Sequence, residues 1–278
     1  MAEPLVSIVI PTFNGLPYVE QAYRSCLEQT YPNIEICISD GGSTDGTVEW
    51  IKELPASVRA DFLPAGTSAA QNWTHATQMA SGEYIKLLCQ DDLLYPNAVE
   101  RQIVDLTEHP DAAVAVAQRD IISASGKVLY RNRGLGDLAP GVHSGQHIQE
   151  AIYFNGTNML GEPHALLFRR DKLLQAMPWH SQRHYSLDLD TYTSVLSEPD
   201  ATVLARKESI GAFRVSTSSW STRLVSSQLQ QLGAWQHEYE ERTNPRPSTR
   251  LRARLALYRQ HLLRVVAYSW LSLKRDMG

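Results

Sequence analysis

Three apolar runs, each ended by turn-forming or acidic residues and each followed by helical spacing, constrain this chain more than any other feature. Leu5-Val6-Ser7-Ile8-Val9-Ile10 is rich in β-branched residues and predicts a buried strand stopped at Pro11. Pro11-Thr12-Phe13-Asn14-Gly15 is a loop of turn formers ahead of the helical pattern Tyr18 to Gln29. The second strand, Ile34 to Ser39, ends at Asp40-Gly41-Gly42-Ser43-Thr44-Asp45-Gly46-Thr47, and Val48 to Leu54 supplies the next helix. The third, Tyr84-Ile85-Lys86-Leu87-Leu88, leads into Cys89-Gln90-Asp91-Asp92. A short strand at Arg59 to Leu63 and a helix over Ser68 to Ala80 lie between them; a helix over Asn97 to Glu108 and a strand over Ala112 to Ala117 follow. This alternation predicts an α/β fold whose mostly parallel central sheet is flanked by helices.

In such sheets ligands bind outside the carboxyl ends of the strands, so Asn14, Asp40 and Asp91 converge there although distant in sequence. Each residue type suits a nucleotide. A carboxylate such as Asp40 accepts from a ring N–H of a pyrimidine, Phe13 can stack on a base, and paired carboxylates at Asp91 and Asp92 can hold a hard divalent cation against a phosphate. Asp40 as a turn cap, Phe13 as a core residue and Asp92 as the lead-in to a helix at Pro96-Asn97 stand beside those readings. The glycines follow neither G-x-G-x-x-G nor the P-loop pattern, so neither a dinucleotide fold nor a P-loop enzyme is indicated.

Charge and composition exclude other classes. A net charge of -4 gives no general affinity for nucleic acid. Cys26, Cys37 and Cys89 form no C-x-x-C pair, which predicts reduced thiols in a cytoplasmic protein rather than a zinc site or disulfide framework. Met1-Ala2-Glu3-Pro4 lacks the basic region of a signal peptide, and no apolar run reaches the roughly 20 residues needed to span a bilayer.

The order Val-Ser-Ile-Val-Ile-Pro-Thr-Phe-Asn, then Ile-Ser-Asp-Gly-Gly-Ser-Thr-Asp-Gly-Thr, then Ala-Ser-Gly-Glu-Tyr-Ile-Lys-Leu-Leu-Cys-Gln-Asp-Asp resembles the family 2 glycosyltransferases of the GT-A fold over roughly the first 110 residues. The resemblance implies a nucleotide-diphosphate sugar donor, UDP on family frequency, a divalent metal such as Mn2+ or Mg2+, and inversion at the anomeric carbon. It carries Thr12, Phe13 and Asp40 over to the nucleoside and Asp91 to the metal; Pro11, Asn14 and Asn72 are expected beside them at the donor, with Asp91 also touching it and Asp92 a weaker helper to metal or sugar. Cys89 and Gly41 stand where the family often has Asp, so donor phosphates and water complete the metal shell.

Beyond residue 118, two short apolar runs around Ser125-Gly126-Lys127 predict a hairpin, and the Gly- and Pro-rich segment Gly134 to Gly145 reads as a mobile lid or acceptor loop. A helix over His147 to Phe154 and a strand over Ala165 to Phe168 follow. Inversion needs a base for the acceptor hydroxyl. Ser186-Leu187-Asp188-Leu189-Asp190 resembles the family's Glu-Asp-x-Asp segment, which assigns Asp188 as catalytic base and Asp190 to the acceptor; His164 is the alternative base and an acceptor contact. Ala201 to Val215 reads as strand, turn, strand; its end resembles the family segment that closes over the donor diphosphate, which implies that Arg214 neutralises leaving-group charge, with a surface salt bridge as the other reading.

The expected organisation is a nucleotide-sugar half (1–118), an acceptor half of the same domain (119–220) and a C-terminal helical extension (221–278). The extension carries helical spacing over Ser226 to Glu241 and Arg250 to Lys274, and every charged residue from Arg246 to Arg275 is basic. Its last helix suits either an anionic membrane surface or packing on the catalytic domain or a homodimer partner. The resulting expectation is a metal-dependent glycosyltransferase acting on a glycan or lipid-linked acceptor in bacterial surface polysaccharide synthesis, cytoplasmic and at most peripheral on the inner face of the membrane. A nucleotidyltransferase would need a basic loop after its first strand, and Pro11 to Gly15 contains no Lys or Arg. A non-catalytic sugar-nucleotide binder stays open because of Cys89 and Gly41.

Overall fold

The computed structural model describes residues 3–179, 183, 185–216 and 224–275; Met1 and Ala2, on which part of the N-terminal reading rests, lie outside the described residues. The first strands appear as the alternation predicts: β1 (Val6–Thr12), α1 (Tyr18–Leu27), β2 (Ile34–Asp40), α2 (Thr47–Lys52), β3 (Arg59–Phe62), α3 (Ala69–Gln78) and β4 (Tyr84–Leu87). Then come β5 (Leu93–Leu94), α4 (Ala98–Glu108), β6 (Ala112–Ser123), β7 (Val128–Arg133), β8 (Gly141–Ser144) and α5 (Gly145–Asn155). β9 (Leu166–Arg169), α6 (Arg170–Gln175), α7 (Leu187–Leu196), β10 (Thr202–Val215), α8 (Val225–Thr243) and α9 (Pro247–Arg275) complete the chain.

One sheet carries all of it, in the order β3-β2-β1-β4-β9-β6-β10-β5, with β7 on β6 and β8 on β10. β3, β2, β1 and β4 are mutually parallel, β9 is antiparallel to both β4 and β6, and β10 returns parallel to β6. Side-chain alternation splits β1 between two cores. Val9 packs with Ile85, Leu87 and Phe168 on the face holding α3, α5 and α7, while Ile8 and Ile10 join Val19, Ile38 and Val99 on the other. Burial on both faces accounts for the near-continuous apolar runs.

Several expectations need correction. β1 continues through Pro11 to Thr12, because pairing with β4 ends at Val9 and leaves that side of β1 an edge where proline costs little. The segment Gly134 to Gly145 is no free lid: Leu135 and Leu138 are buried in the core, and Gly141–Ser144 pairs antiparallel with β10. Two leucines among the turn formers gave it something to bury. The strand-turn-strand expected over Ala201 to Val215 is a single strand that absorbs its polar middle as register shifts against β6 around Arg206 and Ser209. The hairpin about Ser125-Gly126-Lys127 is present, but its first arm and the strand from Ala112 are one element, β6, so the expected boundary at residue 118 falls inside a strand.

Candidate active site

The loops after β1, β2 and β4 meet at the strands' carboxyl ends and are stitched together by side chains. Gln90 is the clamp: its Oε1 accepts from Thr12 Oγ1 and from the Phe13 N–H, both at 2.7 Å, and its Nε2 donates to the Phe13 carbonyl at 3.2 Å. Asn14, at a φ of 49°, donates its N–H to Ser43 Oγ at 2.7 Å, and its Oδ1 accepts from the Thr44 N–H at 2.8 Å. α3 starts at a capping box between Ser68 and Gln71, which presents Asn72 to the sheet. Asn72 takes the Ser39 hydroxyl at 2.6 Å and donates to the Thr12 carbonyl at 2.9 Å.

These bonds already engage several of the side chains expected at the donor. Pro11, Thr12, Asp40 and Asn72 are buried. The Asp40 carboxylate accepts from the Gly42 and Ser43 N–H groups and from the Ser43 hydroxyl, so it organises the Gly41-Gly42-Ser43 turn. Asn72 likewise spends both ends of its amide on joining β1 to β2. Phe13, 52% exposed, and Asn14 are the members of the set that face solvent.

Asp91 and Asp92 have different surroundings. Asp92 is buried; its Oδ1 accepts from the Arg214 N–H at 3.0 Å and its Oδ2 lies 3.0 Å from His164 Nδ1. Asp92 and His164 are thus both buried and paired with each other. Burial pushes His164 down to about 3, so the ring is neutral, and burial with the nearby Glu162 charge pushes Asp92 well up. Arg214, also buried, donates from Nε to the Asp91 carbonyl at 2.9 Å and from Nη2 to Gln21 at 2.8 Å, so its guanidinium fixes the turn that carries Asp91. Asp91 itself is half-buried, and burial together with Asp92 pushes its carboxyl up to about 7.

Asp188 stands in the first turn of α7. Its Oδ2 accepts from Asn158 Nδ2 at 2.8 Å and its Oδ1 from the Leu189 N–H at 2.7 Å. Burial, reinforced by the Glu162 and Asp190 charges, pushes it up to about 7. Glu162 is ion-paired to Arg119, whose guanidinium fills the space beside Gly161, where a Cβ would lie 2.7 Å from Arg119 Cζ. Burial alone would raise the Glu162 carboxyl; Arg119 more than offsets this and holds it below the ordinary range. Asp190 is buried and bound by Arg183 at 3.0 Å, which makes it part of the α7 anchorage rather than an exposed acceptor contact.

The two carboxylate sites are linked through residues 158–164, where Asn158 bonds Asp188 at 2.8 Å and His164 bonds Asp92 at 3.0 Å. The Cys89 thiol is raised by burial and by the charges of Asp92, Asp91, Asp188 and Glu162. Behind them Trp179 is buried edge-on to Trp73 of α3 and Tyr192 of α7 and donates Nε1–H to Thr77 at 2.9 Å. Among the described residues no group of three or more His, Cys, Asp or Glu is arranged to hold a metal ion. Asp91 still fits a hard cation: it is a partly exposed carboxylate without an ion-pair partner among the described residues, raised first by burial and then by Asp92, and a bound cation would offset both.

A family model described as glycosyl transferase family 2 matches residues 7–175. The chain belongs to that family. The match covers the three strand-end loops and the Glu162–His164 turn. Among curated relatives, the chondroitin synthase of Pasteurella multocida is 34% identical over 129 residues, 45% of this chain and 13% of that protein. The chain spans less than half the length of the curated relatives it matches first. Its fold is the GT-A glycosyltransferase type. TarS of S. aureus in complex with UDP superposes with a TM-score of 0.60 at 14% identity, covering 83% of this chain and 64% of that one. The mannosyltransferase PcManGT of Pyrobaculum calidifontis, in complex with GDP-Man and Mn2+, gives 0.61 at 15% identity over 98% and 81% of the two chains.

Gln90, Asn158, Glu162 and Arg119 escaped the sequence reading. Gln90 lies inside the Cys89–Asp92 stretch and was the one with a local signal; the others act through partners 30 or more residues away, such as Asn158 on Asp188 and Arg119 on Glu162.

Proposed function

We propose that this chain is a metal-dependent inverting glycosyltransferase that moves a sugar from a nucleotide-diphosphate donor, a UDP-sugar, to a hydroxyl of a glycan or lipid-linked acceptor in bacterial surface polysaccharide synthesis on the cytoplasmic side. One observation carries the reading. Asp91, in the turn after β4, and Asp188, in the first turn of α7, both act on the Cys89 thiol through their charge, and each has its own carboxyl raised to about 7, where a carboxylate can exchange protons near neutrality. The complexes of TarS with UDP and of PcManGT with GDP-Man and Mn2+, which share the fold, support the donor class and the cation.

Phe13 offers its exposed ring to the base, and the Gln90 clamp holds the Phe13 backbone in place for it. Asp91 would hold Mn2+ or Mg2+ with donor phosphates and water, its position fixed by the Arg214 bond to its carbonyl. The cation, when bound, supplies charge stabilisation for the departing diphosphate. Asp188, oriented by Asn158 and the Leu189 N–H, takes the acceptor's hydroxyl proton as that oxygen bonds to the anomeric carbon. The bond to the diphosphate oxygen breaks on the opposite face, and its electron pair leaves with the nucleotide.

The test separates binding from chemistry. Asp188→Ala should lower transfer about a hundredfold or more with donor affinity retained. Asp91→Ala should weaken manganese-dependent donor binding measured by titration calorimetry. Full transfer by Asp188→Ala would overturn the assignment, and donor binding without turnover over a broad acceptor panel would return the chain to the class of sugar-nucleotide binders.

A further inference from the structure

α9 is only half used by the fold. Ala253 and Leu257 are buried where the helix packs on α5 and α8, and Gln236 of α8 donates to the Ala253 carbonyl at 3.1 Å. Leu251, Leu255, Tyr258, Leu262, Val265 and Val266, spaced alternately by four and three residues with Val266 beside them, form a second stripe, and it is exposed, Leu262 to 64%. Isolated apolar residues on a surface need no explanation, but a contiguous stripe along a helix does.

Its flanks say what covers it. Arg252 and Arg259 run along one border, both exposed and without an ion-pair partner among the described residues. Arg254 lies on the other border, 59% exposed, 3.4 Å from Glu240. Arg252 and Arg259 also line a groove of about 540 Å³ with Phe154, Leu255 and Ala256, which joins two guanidinium groups to an apolar floor. No charged residue from Arg246 to Arg275 is acidic. A second copy of α9 laid against this stripe would bring like charges together with no carboxylate on either helix to offset them. No helix among the described residues is long and apolar enough to cross a membrane.

We propose that the exposed face of α9 lies on an anionic lipid surface, its apolar stripe in the headgroup boundary and Arg252 and Arg259 on lipid phosphates. The surface is independent of the transfer reading, because vesicle binding is measured without donor or acceptor.

Co-sedimentation of the full chain with phosphatidylcholine vesicles, alone or mixed with phosphatidylglycerol, tests it. Binding is expected to the anionic vesicles and not to the neutral ones, and to fall as salt rises. Arg252→Gln with Arg259→Gln should weaken it roughly thirty-fold, and Leu255→Ser with Leu262→Ser should abolish it. Both double variants alter exposed side chains, and circular dichroism melting confirms that they fold. No binding to anionic vesicles, or equal binding to both kinds, overturns the proposal. So does a concentration-dependent dimer, seen by light scattering and lost in the Leu255→Ser with Leu262→Ser variant, when vesicle binding is absent.

Discussion

Asp188 links acid–base behaviour to both activity and stability. As the proposed base it works only when ionised, so the transfer rate should rise with pH through about 7 and level off above it, as initial rates across pH will show. Stability runs the other way. Between the ordinary value of 3.8 and about 7 the folded protein keeps a proton that the unfolded chain releases, so this group's contribution is full at low pH and lost as pH rises through that window. Asp188→Asn should therefore melt higher than the parent protein at about pH 8 while losing transfer. Gln90 makes a different prediction. Gln90→Ala leaves the Thr12 hydroxyl and the Phe13 N–H without their acceptor, which should raise the donor KM about fivefold to tenfold with a smaller change in kcat. At this scale the sequence singled out Asp91 and Asp188 as candidates, because each sits in a short contiguous motif. It did not show the partners that Asp40, Asn72, Asp92 and Arg214 find within the fold, because a residue type shows what a side chain can bond and not which partner reaches it first. Buried polar groups must be satisfied, and here the fold satisfies these four.

Elements were legible wherever local pattern and final pairing agree. β1, β2, β4 and the helices between them follow from apolar runs and turn residues alone. β5, β8 and the full length of β10 do not, because each exists through a partner strand distant in sequence: Leu93–Leu94 on Gly211–Ala212, and Gly141–Ser144 on Thr202–Ala205. Helix junctions have the same dependence. Gly156 ends α5 at a φ of 64°, and a Cβ there would lie 2.4 Å from the Leu257 nitrogen of α9. Gly156→Ala should then destabilise by at least about 1–2 kcal/mol from the left-handed backbone alone, with the clash against α9 added, measured as a lower urea midpoint.

For the whole molecule, the continuous sheet means that the donor side and the base side cannot be separated by a linker: β4 of the first half pairs with β9 of the second, and β5 with β10. Donor binding should accordingly stabilise the chain as one unit. A UDP-sugar with manganese at about a hundred times its Kd should add about 2.7 kcal/mol, read as a rise in Tm of several degrees in a single transition. The α/β class and parallel core were legible from alternation alone, whereas the antiparallel return through β9 had no signature in a four-residue apolar run. The Trp179 stack has a practical consequence here. It touches α3, whose Asn72 bonds the Thr12 carbonyl, and α7, which carries Asp188, so its indole sits at the joint between the proposed donor side and the proposed base. Buried and hydrogen-bonded to Thr77, it should emit at short wavelength, which makes the molecule its own optical gauge: a shift in intrinsic fluorescence on adding donor, absent in Trp179→Phe, would time the movement of one half against the other.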